Sequence, residues 1–312
     1  MTRYVLWLVL LLAGVSASAA AQAQDGLDEP TTVDDVIVRG RALETAVEQF
    51  VGSLAAPARM RGLARWNTAI CVDAVNFRPD VRTEIVRRTT EVATALDVAL
   101  QNDGCAPNIV IMGAADGAVL ADAVVDRFRS KFFRFGSTQS NRGAAALTAF
   151  RLSDAPVRWW HVSLPVNVIT GAPAIRLPGE PAVALPCYSR SVSLKDINLA
   201  GFGGSRTGRS CNAVTDQIVG LWMIVDAQAT DGFSLEQLAD YIAFIAMAQV
   251  DPEADLASFD TILNLFENPQ GYSGITEWDE AYLISLYQGH SERLDPAEQT
   301  ARMIDLFRGS GP

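Results

Sequence analysis

The alternation of strand-like and helix-like segments constrains the fold of this chain more than any other feature of its sequence. Strand patterns at residues 66–72 and 107–112 predict two strands, the second of them buried. Residues 79–100, which begin with a proline-aspartate pair, and residues 116–131 have helical patterns. The sequence therefore predicts a β-α-β-α unit within residues 36–150.

The middle of the chain predicts two further strands and a long surface loop. Within residues 151–216, strand patterns occur at 157–162 and 174–177. The stretch that follows, residues 178–208, is rich in proline, glycine, serine and arginine, a composition typical of an exposed loop.

The C-terminal part, residues 217–308, combines an apolar strand at 218–226 with several helices. Ser234 and Gln237 have the spacing of a capping box, which predicts a helix that runs from there to about Gln249. This helix is apolar nearly all round, so we expect it in the centre of the core. The whole pattern predicts an α+β fold, with a mixed sheet and long helices in one main domain.

Residues 1–23 have the pattern of a cleaved secretory signal peptide. Arg3 gives a cationic start, residues 5–15 are apolar, and small residues precede the expected cleavage site. The apolar run is shorter than the roughly 20 residues that span a bilayer, and no cysteine follows it to carry a lipid. We expect a periplasmic or secreted protein of bacterial type that is not a lipoprotein and has no transmembrane segment after cleavage. A retained N-terminal anchor is the alternative.

The segment after the signal peptide allows two interpretations. Residues 24–35 are acidic and rich in turn-forming residues, which predicts a flexible leader. Residues 33–38 predict an edge strand, but they also resemble the energy-coupling box of TonB-dependent outer-membrane proteins. That resemblance implies an accessory protein of TonB-dependent uptake. A helical pattern follows at residues 43–54.

All four cysteines lie in the exported part of the chain, where oxidising conditions favour disulfides. Four cysteines allow three pairings. We favour Cys71 with Cys105 and Cys187 with Cys211, because each pair closes a local loop and each such loop stabilises the fold by roughly 3 to 4 kcal/mol. A nucleophilic cysteine paired with His161 is the catalytic alternative.

The charge of the chain argues against a nucleic-acid partner. Its formal net charge is −11 at pH 7, one unit more negative once Arg3 leaves with the signal peptide, so the protein repels phosphate backbones. The densest basic cluster has the spacing of a solvated helix end: Arg127, Arg129, Lys131 and Arg134. No metal or other cofactor is expected, because no C-x-x-C motif occurs and the only histidines, His161 and His290, are far apart.

The order of elements in the C-terminal third carries a family resemblance. An apolar strand leads to an apolar helix, then to a turn at residues 261–264 and to a capped helix that begins at Trp278 and Asp279. This order resembles the catalytic half of zinc metalloproteases of the metzincin type. In that family an edge strand precedes a helix carrying H-E-x-x-H-x-x-G-x-x-H, followed by a methionine turn and a closing helix. The resemblance covers residues 218–287 and implies a zincin-like fold, with Leu263 at the methionine position.

The zinc-binding histidines of that signature are missing from this chain. With one aspartate aligned on the family's glutamate, the five signature positions hold Ala239, Asp240, Ala243, Ala246 and Gln249. Zinc at a protease site normally requires three protein ligands, and alanine offers none. The resemblance therefore implies a scaffold without a metal-activated water, in which Asp240 is the one weak catalytic candidate.

Two classes of function follow from these observations. The favoured hypothesis is a non-catalytic exported scaffold that binds a peptide, a glycan, or an envelope or extracellular protein. The reason is that the chain keeps the order of elements of the resembled proteases but lacks their zinc ligands. The alternative is a hydrolase in which Asp240 shares acid and base roles with Asp226, Asp231 or Glu236, three acids near the start of the same helix.

Overall fold

A four-stranded mixed sheet organises the protein, whose computed structural model describes residues 33–57, 62–132, 143–167, 214–288 and 296–309. The strands lie in the order β1-β2-β4-β3. Their bounds are β1 Val72–Val75, β2 Ile109–Ala114, β3 Val157–Asn167 and β4 Val214–Asp226. Strands β1, β2 and β4 run parallel, and β3 pairs antiparallel with β4 at one edge of the sheet. The mixed sheet confirms the predicted α+β class.

Helices cover both faces of this sheet, and the described residues from Arg41 onward form one compact unit. Helices α2 and α5 pack together on one face, whereas α3 and α4 pack together on the other. The helix bounds are α1 Val33–Leu54, α2 Pro79–Ala95, α3 Gly117–Phe132, α4 Ala144–Leu152, α5 Leu235–Met247, α6 Glu277–Tyr287 and α7 Pro296–Gly309.

Helix α5 lies at the centre of the larger core, as its apolar sequence predicts. Every side chain from Tyr241 to Met247 is buried. The predicted capping box is present: Ser234 accepts a hydrogen bond from the Gln237 amide, and the Gln237 side chain accepts one from the Ser234 amide. The amides of Ser234 and Gln237 have no acceptor within the helix, and each gains one in this way. The helix therefore begins where the sequence predicts.

The disulfide between Cys71 and Cys105 is present and joins the start of β1 to the loop before β2. Its two cysteines are 34 residues apart in sequence, so the loop-entropy account credits it with about 4 kcal/mol. Nearby, the Asn108 side chain accepts a hydrogen bond from the Cys71 amide at 2.7 Å. The second favoured pair, Cys187 with Cys211, lies outside the described residues.

Three predictions of local structure are wrong. Residues 33–38 belong to α1 and are not an edge strand. Residues 33–35, predicted as the end of the leader, are therefore helical as well. Within residues 66–71 only Ile70 forms an isolated bridge, to Leu100, and β1 begins at Val72. Helix α2 ends at Ala95 rather than near residue 100, since Asp97 adopts a positive φ of 58°.

Helix α4 was not predicted from the sequence, because residues 144–152 are a short apolar segment without a cap signal. Several other predictions fall on residues that the structure does not describe. These are the signal peptide at 1–23, the leader up to residue 32, the strand at 174–177, the loop at 178–208, and His290.

Candidate functional site

The positions that match the metalloprotease signature lie inside the core. Ala239, Ala243 and Ala246 are fully excluded from solvent on α5. Ala239 and Ala243 align with histidine ligands of the resembled family, and Ala246 aligns with its glycine. Gln249, two residues beyond the end of the helix, is 4% exposed and donates a long hydrogen bond of 3.4 Å to the Ser163 hydroxyl. These residue types supply no set of metal ligands.

Asp240, the weak catalytic candidate, is held by structural partners. Its carboxylate forms an ion pair with Arg88 of α2 and accepts a hydrogen bond from the Ile275 amide at 3.2 Å. The same carboxylate lies against Gly274 so closely that a Cβ at that glycine would overlap it. Asp240 therefore joins α2, α5 and the loop before α6.

The other carboxylates proposed to act with Asp240 have different partners. Asp226 accepts backbone hydrogen bonds from Gly117 at 2.9 Å, Gln228 at 2.9 Å and Ala229 at 3.1 Å. These bonds, that from Gly117 foremost, hold the pKa of Asp226 below its ordinary value. Asp231 and Glu236 lie nearby along the chain: Asp231 is exposed beside the Gly232 turn, and Glu236 belongs to the first turn of α5. Asp226 therefore caps the start of α3 and the turn after β4.

His161 lies on β3, as its strand pattern predicts, and caps the C-terminal end of α5. The last four carbonyls of a helix have no partner within it. In α5 they accept hydrogen bonds from the Ala248 amide, His161 Nε2, Trp66 Nε1 and the Tyr287 hydroxyl, in order from Phe244 to Met247. His161 Nε2 is 3.0 Å from the Ile245 carbonyl, and burial lowers the pKa of His161 to about 4. His161 is thus a neutral structural donor.

The two segments that the resemblance aligns with a methionine turn and a closing helix meet in a buried network around Asp279. Its carboxylate accepts hydrogen bonds from the Thr261 hydroxyl at 2.6 Å, the Ile262 amide at 2.7 Å and the Thr276 amide at 3.0 Å. Burial raises the pKa of Asp279 to about 6 against the opposing effect of these donors. Asp279 fastens the start of α6 to the short 3₁₀ helix Ile262–Asn264, where Leu263 stands at the methionine position.

A groove of about 550 Å³ runs along β3, on the side where no strand of the described residues pairs with it. Helix α4 forms one wall, and the segment after α5, residues 249–257, forms the other. Leu152, at the end of α4, is 76% exposed beside it. Sequence reasoning missed this groove because one of its walls, α4, has no signal of its own in the sequence.

Charged and polar side chains divide unequally between the walls of the groove. Four carboxylates line the side formed by the C-terminal segments: Asp251, Glu253, Asp255 and Glu267. The buried Oε1 of Gln249 has no hydrogen-bond partner among the described residues. Arg158, on β3, brings a buried guanidinium that lies against Gly117 at the start of α3.

Fold and site together define an α+β protein with a groove along the antiparallel edge strand of a mixed sheet. Compared with protein-family models, curated proteins and solved structures, the chain shows no significant match. Within the described part of the chain, no helix has both the length and the apolar composition needed to cross a bilayer. The same residues contain no group of three or more histidine, cysteine, aspartate or glutamate side chains placed to hold a metal ion.

Proposed function

We propose that this protein is a non-catalytic exported scaffold that binds an extended peptide segment in the groove along β3. The observation that carries the proposal is the position of the groove, which follows a sheet edge between two walls. A peptide bound there gains main-chain hydrogen bonds by adding a strand to the sheet, while the walls contact its side chains.

The register of β3 supports such strand addition. The Pro156 carbonyl accepts a hydrogen bond from the Asp226 amide, and hydrogen-bonded pairs alternate along an antiparallel ladder. Arg158 and Trp160 therefore direct their backbone groups toward β4, and Val157, Trp159 and His161 direct theirs toward the groove. Three residues with this orientation present enough donors and acceptors for a short added strand.

Two polar side chains named as catalytic candidates, His161 and Asp240, are held by structural partners, which favours binding over catalysis. His161, the histidine that lines the groove, donates to the Ile245 carbonyl, and Asp240 is held by Arg88 and Ile275. The alanines at the signature positions offer no metal ligand. A scaffold of the metzincin type that has lost its zinc is consistent with the order of β4, α5, turn and α6, but β4 lies inside the sheet and is not the edge strand that the resemblance implies.

Export through the signal peptide belongs to the same proposal. The disulfide between Cys71 and Cys105 supports an oxidising compartment, where such bonds persist. In the periplasm or outside the cell, the partner would be a segment of an envelope or extracellular protein.

The test is selection of random octapeptides, displayed on phage, against the mature chain. Selected peptides are then synthesised and titrated against two variants of α4. Ala149→Trp places a bulky side chain in the groove, whereas Ala145→Trp changes an exposed residue of the same helix that does not line it. We expect Ala149→Trp to weaken binding at least tenfold and Ala145→Trp to leave it unchanged.

N-methylation of the peptide tests the strand-addition geometry directly. A methyl group at alternate amides removes donors that pair with β3, while methylation at the intervening amides leaves the pairing intact. Binding that tolerates both patterns equally would contradict strand addition. Cleavage of the selected peptides by the purified protein, lost in Asp240→Asn, would establish the hydrolase alternative instead.

A further inference from the structure

We infer that the groove selects cationic strands, with lysine or arginine at every second position of the bound segment. This inference rests on the proposed function, because it specifies the class of peptide that the groove accepts. It is carried by the division of the groove into an acidic wall and an apolar wall, and by the period of an extended chain.

The acidic wall consists of the four carboxylates that line the groove: Asp251, Glu253, Asp255 and Glu267. The segment that presents the first three is anchored, since the Asp251 amide donates to the Leu54 carbonyl at 2.9 Å. The Asp251 side chain also accepts from the Glu253 amide at 3.0 Å. Glu253, Asp255 and Glu267 are exposed to solvent. A fixed backbone therefore holds several carboxylates along one side of the groove.

The positive charge on β3 belongs to the opposite side. The guanidinium of Arg158 packs against Gly117 at the start of α3, and Asp226, Asp116 and Asp154 act on it electrostatically. Arg158 also lines the groove, and its Nε and Nη1 atoms have no hydrogen-bond partner among the described residues. Its guanidinium lies on the α3 side of β3, whereas the four carboxylates lie on the other wall. The wall formed by α4 is apolar where Ala146, Ala149 and Leu152 face the groove.

The sheet determines how a bound strand meets the two walls. On β3 the side chains of Val157, Trp159 and His161 contact the α5 side, whereas Trp160 and Val162 contact the α3 and α4 side. An added strand has the same period of two. One row of its side chains therefore faces the carboxylates, and the other row faces the apolar wall.

Gln249 gives a second indication of a cationic ligand. It lines the groove, is 4% exposed, and its buried Oε1 has no hydrogen-bond partner in the described part of the chain. A buried acceptor without a partner is costly, and lysine and arginine head groups carry donors only. A basic side chain that reached the acidic wall could supply the missing donor.

Three octapeptides of one design test the inference on the full mature chain. They alternate threonine with lysine, with glutamine or with glutamate, so that only the charge of one row changes. Exposed ion pairs are individually weak, but several together should make the lysine peptide bind on the order of tenfold tighter than the glutamine peptide. The glutamate peptide should bind more weakly than either. Raising the salt from about 0.02 M to about 0.3 M should shrink the preference for lysine several-fold.

Two charge-matched variants locate the effect. Glu253→Gln combined with Glu267→Gln should lower the preference for the lysine peptide over the glutamine peptide about threefold. Glu48→Gln combined with Glu280→Gln removes the same charge from exposed residues that do not line the groove. This control should retain the full preference.

The outcomes separate the inference from the proposed function. Equal binding of the lysine and glutamine peptides, insensitive to salt, would overturn the cationic selectivity and leave peptide binding standing. An equal loss of preference in both variants would also overturn it, since general attraction to an acidic protein would then explain the result. Failure of all three peptides and of every selected octapeptide would contradict the proposed function itself.

Discussion

Acid should destabilise this protein through His161, the histidine that caps α5. Burial lowers the pKa of His161 from 6.5 to about 4, because the fold offers no solvation to the protonated ring. In the unfolded chain the ring binds a proton below pH 6.5, and in the folded chain only near pH 4. The free energy of unfolding therefore falls as the pH decreases from 6.5 to 4, and His161 changes it no further at lower pH.

The size of the effect follows from the two pKa values. One unit of pKa corresponds to about 1.4 kcal/mol, so the full difference for His161 is worth about 3 kcal/mol. At pH 4.5, most of this change, about 2 to 3 kcal/mol, has occurred. For a domain with a typical stability of roughly 5 to 15 kcal/mol, that is a large fraction of the total.

Asp279 opposes this effect in the same pH range. Burial raises its pKa from 3.8 to about 6, so the folded chain binds this proton first and gains stability as the pH falls from 6 to about 4. The pH profile of the native protein alone does not isolate His161. The difference in the free energy of unfolding between the native protein and a His161 variant isolates His161, because Asp279 and His290 are present in both proteins and their contributions cancel.

The assay is urea unfolding of the native protein and of His161→Gln at pH 7 and at pH 4.5. Glutamine keeps an N–H donor for the Ile245 carbonyl but does not titrate. We expect the native protein to be the more stable at pH 7 and its advantage to shrink by about 2 to 3 kcal/mol at pH 4.5. Far-UV circular dichroism at both pH values checks that the variant is folded. An advantage that stays constant with pH would refute the assignment of a buried, neutral His161.

Three further predictions concern stability. Asp279→Ala should lower the free energy of unfolding by about 2 to 4 kcal/mol in urea titration, because it leaves the Ile262 amide and the Thr261 hydroxyl without their acceptor in the core; a change below 1 kcal/mol would contradict the network. Replacing Cys71 and Cys105 together by alanine should lower it by about 3 to 4 kcal/mol under non-reducing conditions, and an unchanged unfolding midpoint would show that the disulfide adds nothing. Asp240→Asn should cost about 1 to 3 kcal/mol yet leave octapeptide binding unchanged, and the reverse pattern would return Asp240 to a functional role.

Local signals in the sequence predicted the parts of the fold that local interactions hold. The capping box of Ser234 and Gln237 spans four residues, so both partners are visible together. The same holds for Thr276 and Asp279 at the start of α6. Predictions failed where the chain does not follow its local preference. Four of residues 33–38 are valine or isoleucine, which favour strands, yet all six are helical and form the first turns of α1.

The candidate site illustrates the same limit. The sequence indicated that Asp240 and the alanines of α5 could not form a zinc centre, because ligand chemistry can be read from residue types alone. It did not show that Arg88, 152 positions away, holds the Asp240 carboxylate. The groove was also invisible, since it joins α4 and β3 to a segment that begins at Gln249, about a hundred residues later.

The sequence by itself determined the α+β class, the apolar character of α5, its N-terminal cap and the absence of zinc-binding histidines from the signature positions. Each of these depends on composition or on residues within one or two helical turns. Only the tertiary structure decided the roles of His161, Trp66 and Tyr287, whose side chains reach the unpaired carbonyls at the end of α5. The physical reason is that each of those buried carbonyls needs a hydrogen-bond donor. Any residue that the fold brings close can supply it, however distant that residue is in the sequence.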